Sequence, residues 1–465
     1  MLRFGTDGVR GLANSELSPE LVLALGRAAA RVLGGPVAGG RRPRFLIGRD
    51  TRLSGPLLQA ALSAGLAAEG ADVVDLGVLP TPAVAFISAE EGVPAAVISA
   101  SHNPFWDNGV KFFSAGGSKL PDEVEQALEA DLAEGTSPPR GPALRYGSPV
   151  PEVGRMTVDS TALERYERHV VSCLEGRDLS GLRVVLDLAN GAAVATAPEI
   201  FRAAGADLAG VLAASPDGTN INDRCGSTDP RSLAERVVLE RADLGLAFDG
   251  DADRVIAVDH KGEIVDGDRI LALFATDLAG RGLLAGGTVV VTVMTNLGFH
   301  QAMRVAGVGV HTVSVGDRHI LEALEANGWA FGGEQSGHIV FRSLATTGDG
   351  VLSGLLLADL VRRRGVALAE LARGALQKFP QVLQSVAVAN RDGLAGASTV
   401  WEEVRRAEAS LGQQGRVLLR ASGTEPLVRV MVEAPTDEAA HAAVGRLVDA
   451  LHLALGSPAG GQERA

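Results

Sequence analysis

A polar loop after a short apolar stretch holds the hydroxyl group best suited to chemistry. Ser101 lies in the run SASHNPFWDNGVKFF at residues 99–113, directly after the apolar, strand-like residues 95–98. The serine, asparagine, proline and glycine residues of this run favour turns over regular helix or strand. We therefore expect the Ser101 hydroxyl, beside the imidazole of His102, to be presented to solvent or ligand rather than packed. The plain alternative is a turn that merely connects a strand to a helix.

Three carboxylates at alternate positions form a second candidate site. Asp249, Asp251 and Asp253 lie in the run FDGDADR, again after an apolar strand pattern. Carboxylates so spaced in a tight turn can converge on one hard cation, because Mg²⁺ takes oxygen ligands. A calcium-binding EF-hand loop begins similarly, but Arg254 and His260 stand where that loop needs glycine and glutamate. The run therefore predicts a magnesium site, with an acidic surface turn as the alternative.

A third loop, GGEQSGH at residues 332–338, combines an acceptor, a hydroxyl and an imidazole on a glycine-rich backbone. Glu334, Ser336 and His338 supply these groups. A polyol needs paired hydrogen-bond donors and acceptors, so this set suits a sugar. His338 alone could equally well be an ordinary histidine at the start of a strand.

A fourth loop lies between two apolar strand patterns near the carboxyl end, in the run LLRASGTEPLVRV at residues 418–430. Backbone N–H groups in such a turn can form an anion-binding concavity, and arginine offers paired donors that match phosphate oxygens. The loop predicts a phosphate-binding site, with a hairpin carrying ordinary surface arginines as the alternative. The candidate ligands are Arg420, Ser422, Gly423, Thr424 and Arg429.

Together the four loops resemble the alpha-D-phosphohexomutase superfamily, which has a phosphoserine, a metal, a sugar-binding and a phosphate-binding loop in this order. The resemblance covers essentially the whole chain, including the opening RFGTDGVRG at residues 3–11, where the superfamily places residues that reach the active site. Asp317 and Arg318 in the run VGDR, with Gln335, resemble the glucosamine branch. The phosphomannomutase/phosphoglucomutase branch is the alternative. Ala252 departs from the pattern, since the superfamily commonly has glycine there.

The resemblance implies an isomerase that interconverts glucosamine 6-phosphate and glucosamine 1-phosphate through a phosphoserine and a 1,6-bisphosphate, feeding UDP-N-acetylglucosamine and cell-wall precursor synthesis. It implies one Mg²⁺ per chain, activity that requires phosphorylated Ser101, a cytoplasmic location and a homodimer. The catalytic candidates are Ser101, His102, Lys111, Arg10 and His338. The metal candidates are Ser101, Asp249, Asp251 and Asp253. The substrate-binding candidates are Arg254, Asp317, Arg318, Glu334, Ser336, Arg420, Ser422, Gly423, Thr424 and Arg429.

Within the catalytic set, Lys111, Arg10 and His338 remain unranked candidates for proton transfer or charge stabilisation. Arg254 can stabilise charge only, because a guanidinium stays protonated in proteins. Ser101 is outside a Gly-x-Ser-x-Gly elbow, which disfavours an esterase. No P-loop is present, which disfavours nucleotide-driven phosphoryl transfer. A non-catalytic sugar-phosphate-binding protein of the same fold is the alternative from another class, although neither the serine nor any of the three aspartates is lost.

The amino-acid composition indicates which binding partners and which cellular compartment to expect. The formal net charge of −13 argues against nucleic acid as the main partner. The two cysteines, Cys173 and Cys225, match neither a disulfide framework nor a metal site, which favours a reducing compartment. No apolar run reaches membrane-spanning length, and the motif begins so early that we expect no signal peptide. We expect a small-molecule sugar phosphate as partner, no nucleic acid and no membrane.

A repeated rhythm of strand, polar loop and helix predicts α/β layers. We expect three successive mixed α/β/α domains of similar topology and a C-terminal α+β domain, with the active site in the central cleft. The expected boundaries are 1–150, 151–255, 256–370 and 371–465. Ser18 before Pro19 predicts a helix start, and Gly365 predicts the end of a helix that begins near Gly350. Residues 134–142 read as a loop, a helix is expected over 436–455, and the last residues are expected to fray.

Overall fold

The computed structural model describes residues 4–5, 8–35, 42–133, 153–422 and 426–457. The chain divides into two compact units. The larger unit comprises Met1–Met294 and Val308–Gly374, and the C-terminal unit comprises Thr295–Gly307 and Ala375–Ala465. The predicted loop at 134–142, Gly423, Thr424 and most of the segment expected to fray lie outside the described residues.

The larger unit begins with a six-stranded sheet of order β1-β5-β4-β2-β3-β6. Five of its strands run in the same direction, while β5 runs antiparallel to its neighbours β4 and β1. The strands are β1 (Val9–Leu12), β2 (Arg44–Arg49), β3 (Asp72–Val78), β4 (Ala95–Ile98), β5 (Asp107–Phe113) and β6 (Met156–Val158). The accompanying helices are α1 (Pro19–Leu33), α2 (Gly55–Ala68), α3 (Thr81–Glu91) and α4 (Asp122–Ala133). We call this sheet with its helices the first subdomain.

The second subdomain is a five-stranded sheet of order β11-β10-β9-β7-β8. Its first three strands in sequence are parallel, and β10 and β11 are antiparallel additions. The strands are β7 (Arg183–Asp187), β8 (Asp207–Leu212), β9 (Leu244–Phe248), β10 (Val255–Asp259) and β11 (Ile264–Val265). The helices are α5 (Ala162–Ser172), α6 (Ala197–Ala203) and α7 (Arg231–Glu240).

The third subdomain has a four-stranded sheet of order β13-β12-β14-β15, with β15 antiparallel to β14. The strands are β12 (Thr288–Thr292), β13 (Gly309–Val313), β14 (Phe331–Gly333) and β15 (Ile339–Phe341). Helix α9 (Leu297–Ala306) belongs to the C-terminal unit. The remaining helices are α8 (Gly267–Gly280), α10 (Asp317–Asn327), α11 (Gly350–Arg364) and α12 (Leu368–Ala375).

The three sheets position the candidate loops in the same way. In each, the loop connects a strand to the antiparallel strand that follows it. Ser101 lies between β4 and β5, the three aspartates lie between β9 and β10, and residues 334–338 lie between β14 and β15. The loops therefore occupy equivalent places in three similar sheets. The predicted repetition of α/β/α topology is confirmed.

The C-terminal unit, described by itself, has a three-stranded antiparallel sheet of order β16-β18-β17. Its strands are β16 (Gln381–Ala387), β17 (Arg416–Ala421) and β18 (Leu427–Glu433), and its further helices are α13 (Ser398–Leu411) and α14 (Asp437–Leu455). Valines on the sheet pack against leucines of α14 in one buried cluster. The chain also has short 3₁₀ helices at Ala192–Ala195, Gly226–Thr228, Ala285–Gly287, Arg391–Gly396 and Gly412–Gln414.

Local sequence signals account for several boundaries. The Ser18 side chain accepts the Leu21 N–H and caps α1, with proline at its first turn. Gly365 ends α11 with φ +61°, a left-handed conformation that glycine adopts without steric cost. Both predictions are confirmed. Within the described part of the chain, no helix is long and apolar enough to cross a membrane.

Candidate active site

Ser101 is fully buried, and its hydroxyl donates to Asp249 Oδ2 at 2.5 Å. The expectation that the Ser101 hydroxyl is presented to solvent or ligand rather than packed is therefore wrong in this structure, because the aspartate loop of the second subdomain packs onto it. Its backbone has φ +52°, the left-handed region that a side chain other than glycine rarely occupies. Such local strain persists only where surrounding contacts hold it. His102 Nδ1 lies 3.4 Å from Ser101 Oγ.

Two side chains that sequence reasoning missed hold the Ser101 loop. The buried Arg52 guanidinium donates to the carbonyl oxygens of Ser101 and Asn103, each at 2.8 Å, and its Nε donates to Asp50 at 2.8 Å. Asn222, from the second subdomain, donates to the same two carbonyl oxygens at 2.9 and 3.1 Å. One signal for Arg52 was available, because Asp50 and Arg52 follow β2 directly, at the sheet edge where β4 ends.

The three aspartates converge as predicted for a cation site. Asp249, Asp251 and Asp253 are buried, and one carboxylate oxygen from each lies within 4.8 Å of the others. Among the residues that the structure describes, no hydrogen-bond partner reaches Asp251 Oδ1 or Asp253 Oδ1. Buried carboxylate oxygens without donors are costly, and a hard cation would satisfy them. The residues therefore fit Mg²⁺.

The charges of this cluster are partly balanced by Lys111. Its Nζ lies 2.8 Å from Asp251 Oδ2 and 3.8 Å from Asp253 Oδ2. Burial and the two neighbouring carboxylates raise the pKa of the Asp249 carboxyl well above its usual range. Burial also acts to raise the pKa of Asp253, but Lys111 and His338 outweigh it and hold that pKa below its usual range.

The metal loop is held by a residue that sequence reasoning missed. Thr81, at the first residue of α3, donates its hydroxyl to Asp251 Oδ2 at 2.6 Å and its N–H to Asp251 O at 2.9 Å. Ala252 has φ +57°, so the position does require the left-handed conformation that glycine provides in the superfamily. An alanine in that conformation costs about 1 kcal/mol.

The sugar-binding candidates lie beside the metal loop. Glu334 Oε1 accepts the Gly316 N–H at 3.1 Å, and the Ser336 hydroxyl donates to Glu334 Oε2 at 3.4 Å. His338 is buried, with Nδ1 3.6 Å from Asp253 Oδ2. The structure thus brings the third loop to the second one. Ser101, the aspartates and His338 form one continuous site.

The protonation of His338 is set by its neighbours. Burial lowers the pKa of His338, but the bare carboxylates of Asp253 and Asp317 outweigh burial and raise it to about 9. The Gly348 N–H donates to Nε2 at 3.1 Å, which fits only the neutral ring. A cation held by Asp253 would remove much of the electrostatic attraction that favours the charged ring.

Two arginines add positive charge near Ser101. Arg254 and Arg10 are close enough to His102 that, after burial, they are the main causes lowering the pKa of His102 to about 4. His102 is therefore neutral at neutral pH. The positive charge of Arg254 and Arg10, unlike burial, favours an incoming anion.

Asp317 and Arg318 are placed differently from the other substrate-binding candidates. Asp317 forms an ion pair with Lys119 and lies 3.5 Å from His338 Nε2. The Arg318 guanidinium pairs with Asp122 and Glu125 of α4, in the first subdomain. In this structure Arg318 faces a helix rather than the aspartate loop.

The described phosphate-binding candidates lie in the C-terminal unit. Arg420 and Arg429 are directly opposite in the pairing of β17 with β18, and both are exposed. The Ser422 N–H donates to Leu427 O at 2.9 Å, next to the paired ends of β17 and β18. Like charges directly opposite in a sheet are unfavourable, and an anion between them would relieve the repulsion.

Family models and related sequences identify the same family. The chain matches the family models for phosphoglucomutase/phosphomannomutase alpha/beta/alpha domains I, II and III and the C-terminal domain, over residues 1–138, 164–262, 266–379 and 371–450. It is 52% identical to a phosphoglucosamine mutase of Frankia alni, over 98% of this chain and 99% of that protein. A phosphoglucosamine mutase of Mycobacterium leprae is 51% identical, over 98% and 96% of the two chains.

Two solved structures share the fold of this chain. A phosphoglucomutase/phosphomannomutase family protein of Burkholderia thailandensis superposes with a TM-score of 0.77 at 25% identity, over 97% of each chain. The N-acetylphosphoglucosamine mutase of Aspergillus fumigatus, solved with GlcNAc-6P and magnesium, has a TM-score of 0.68 at 19% identity, over 98% of this chain and 96% of that one. The second likeness shows the shared fold.

Proposed function

We propose that this chain, which belongs to the phosphoglucosamine mutases of the phosphoglucomutase/phosphomannomutase family, interconverts glucosamine 6-phosphate and glucosamine 1-phosphate. The observation that carries the proposal is the hydrogen bond of 2.5 Å from Ser101 Oγ to Asp249. It places a hydroxyl that can carry a phosphoryl group against three buried carboxylates that can hold a cation. The predicted glucosamine branch, rather than the phosphomannomutase/phosphoglucomutase alternative, is confirmed by the relatives.

The reaction transfers one phosphoryl group out and another back. With Ser101 phosphorylated, a bond forms between phosphorus and the C1 hydroxyl oxygen of glucosamine 6-phosphate as the bond to Ser101 Oγ breaks. The sugar hydroxyl loses its proton, and Oγ gains one. The resulting 1,6-bisphosphate reverses its orientation within the site. Its C6 phosphoryl group is then transferred to Ser101 Oγ by the reverse of the first step, which leaves glucosamine 1-phosphate. Phosphate is conserved over the cycle.

The chain's own residues prepare this transfer. Arg52 and Asn222 fix the Ser101 backbone, and Asp249 receives the Oγ hydrogen bond. Lys111, His338 and Arg10 remain candidates for proton transfer or charge stabilisation, and Arg254 for charge stabilisation. Glu334 and Ser336 are proposed to recognise sugar hydroxyls, and Asp317 remains a proposed contributor to the sugar site.

The metal belongs to the aspartate loop. Asp249, Asp251 and Asp253 would hold Mg²⁺, with phosphorylated Ser101 as a further ligand. When bound, the ion supplies positive charge that neutralises phosphoryl oxygens, where transition-state charge develops. Carboxylate oxygens, with no cysteine or histidine in the loop, favour magnesium over zinc.

Arg429→Ala should weaken substrate binding. Its guanidinium, opposite Arg420, is proposed to hold the phosphate that does not react, and charge-assisted bonds to phosphate are strong. We expect the KM for glucosamine 6-phosphate to rise about tenfold or more, because such a bond contributes about 1.5–3 kcal/mol. Steady-state kinetics measure this, with the exposed Arg405→Ala as control. An unchanged KM would remove the phosphate-site assignment.

The substrate assignment is tested by comparing kcat/KM for glucosamine 6-phosphate with that for mannose 1-phosphate and glucose 1-phosphate on one preparation. We expect a ratio well above one for the amino sugar. A ratio at or below one would move the chain to the phosphomannomutase/phosphoglucomutase branch. A cytoplasmic location and a homodimer stay predictions.

A further inference from the structure

Ion pairs connect the first and third subdomains. Arg318, in the first turn of α10, pairs with Glu125 at 2.5 Å and with Asp122, both on α4. Lys119, just before α4, pairs with Asp317, the residue that precedes Arg318. Two successive residues of α10 are thus tied to one short stretch of the first subdomain.

These ion pairs are mostly sheltered from water. The side chains of Arg318 and Glu125 are 12% and 11% exposed, whereas Asp122 is 63% exposed. A charge that loses its partner in a sheltered place is destabilised far more than one on an open surface. Glu125 is therefore the partner that matters most to Arg318.

The contact also contains a cavity and a further hydrogen bond. A cavity of about 140 Å³ lies there, and its lining includes Leu120, Leu321 and Arg342. The Thr346 hydroxyl donates to Gly117 O at 2.6 Å and adds a third polar connection between the same subdomains. Polar contacts therefore connect the two subdomains beside this cavity.

The first turn of α10 also contacts the sugar-binding loop. The Gly316 N–H, immediately before α10, donates to Glu334 Oε1 at 3.1 Å. Asp317 Oδ2 lies 3.5 Å from His338 Nε2. Through the Gly316 hydrogen bond, whatever fixes the first turn of α10 also holds Glu334 in place.

We propose that Arg318, through its ion pair with Glu125, is a positioning residue that aligns the sugar-binding loop, rather than a ligand of the substrate. The inference rests on the proposed function, because the loop it aligns is the one assigned to the sugar. It gives α4 a role in substrate recognition although α4 itself carries none of the proposed ligands. Phosphoserine and metal binding depend on other loops and should not need this pair.

The test compares Glu125→Gln with Glu123→Gln, the same change at an exposed position of the same helix. We expect Glu125→Gln to raise the KM for glucosamine 6-phosphate about fivefold, as typical couplings between contacting residues allow. The Mg²⁺ affinity and the fraction of phosphorylated Ser101 should match wild type, which a general loss of structure would not leave unchanged. Glu123→Gln should match wild type throughout.

A double-mutant comparison gives an independent test of the proposed pair. Glu125→Gln combined with Arg318→Gln should raise the KM no more than Arg318→Gln alone, since both remove one pair. The swap Glu125→Arg with Arg318→Glu should recover most of the lost affinity. A KM for Glu125→Gln equal to that of Glu123→Gln, or additive effects in the double variant, would overturn the proposal.

Failure of the proposed function gives a different result. If wild type turns over only phosphates of hexoses without an amino group, such as mannose 1-phosphate and glucose 1-phosphate, the glucosamine assignment is wrong. The same comparison of variants on glucose 1-phosphate then still decides whether the Glu125–Arg318 pair aligns the sugar loop. If Glu125→Gln lowers the melting temperature too far for assay, Glu125→Asp, which keeps the charge, takes its place with an intermediate KM expected and a wild-type KM counting against the proposal.

Discussion

Ser101→Ala is expected to lower turnover of glucosamine 6-phosphate by about four orders of magnitude or more, as removal of a covalent nucleophile does elsewhere. The hydroxyl is the group that carries the phosphoryl between the two sugar positions, and the variant has no atom to accept it. Steady-state kinetics measure the loss, and intact mass should show phosphorylation at Ser101 in wild type alone. Near wild-type turnover would contradict the mechanism.

The variant should remain folded. Alanine can keep the φ of +52° at the same cost as serine, and the lost hydrogen bond to Asp249 contributes about 1–2 kcal/mol. Asp249 Oδ1 still accepts the Arg254 N–H at 3.2 Å. A melting temperature within several degrees of wild type is expected. Ser398→Ala, at an exposed serine of α13, controls for the chemical change and should keep full activity.

Asp249→Asn is expected to weaken Mg²⁺ binding on the order of 100-fold, because it removes one of three charged oxygen ligands. Turnover should fall with it and recover only in part at high Mg²⁺. Isothermal titration of the unphosphorylated enzyme measures the affinity without reference to activity. The substitution also replaces the charged acceptor of the Ser101 hydroxyl with a neutral amide.

Asp223→Asn is the matched control, since Asp223 is exposed and belongs to the same subdomain. It should leave Mg²⁺ affinity and turnover unchanged. Wild-type activity that survives exhaustive chelation, or an unaltered Mg²⁺ affinity in Asp249→Asn, would rule out the aspartate loop as the metal site.

The chemical groups of the site could be predicted from the sequence because the residues of each loop are neighbours along the chain. Asp249, Asp251 and Asp253 are close in sequence, so their convergence follows from one tight turn. The start of α1 at Pro19 and the end of α11 before Gly365 likewise depend on neighbouring residues.

The burial of Ser101 could not be predicted, because it comes from residues more than 100 positions away. Asn222 and Asp249 reach the Ser101 loop from another sheet, and Thr81 reaches the metal loop from α3. Local patterns carry no information on such pairings. Arg318 shows the same limit, since its sequence context resembles a substrate loop while its partner Glu125 lies on a distant helix.

The most direct test of the account follows a radiolabelled phosphoryl group placed on Ser101. In a single turnover with excess unlabelled glucosamine 6-phosphate and Mg²⁺, the label should leave the protein and appear on glucosamine phosphates at the rate of catalysis. Chelation should keep it on Ser101. Product formed at the full rate while the label stays on the protein would contradict the central claim that Ser101 donates the phosphoryl group.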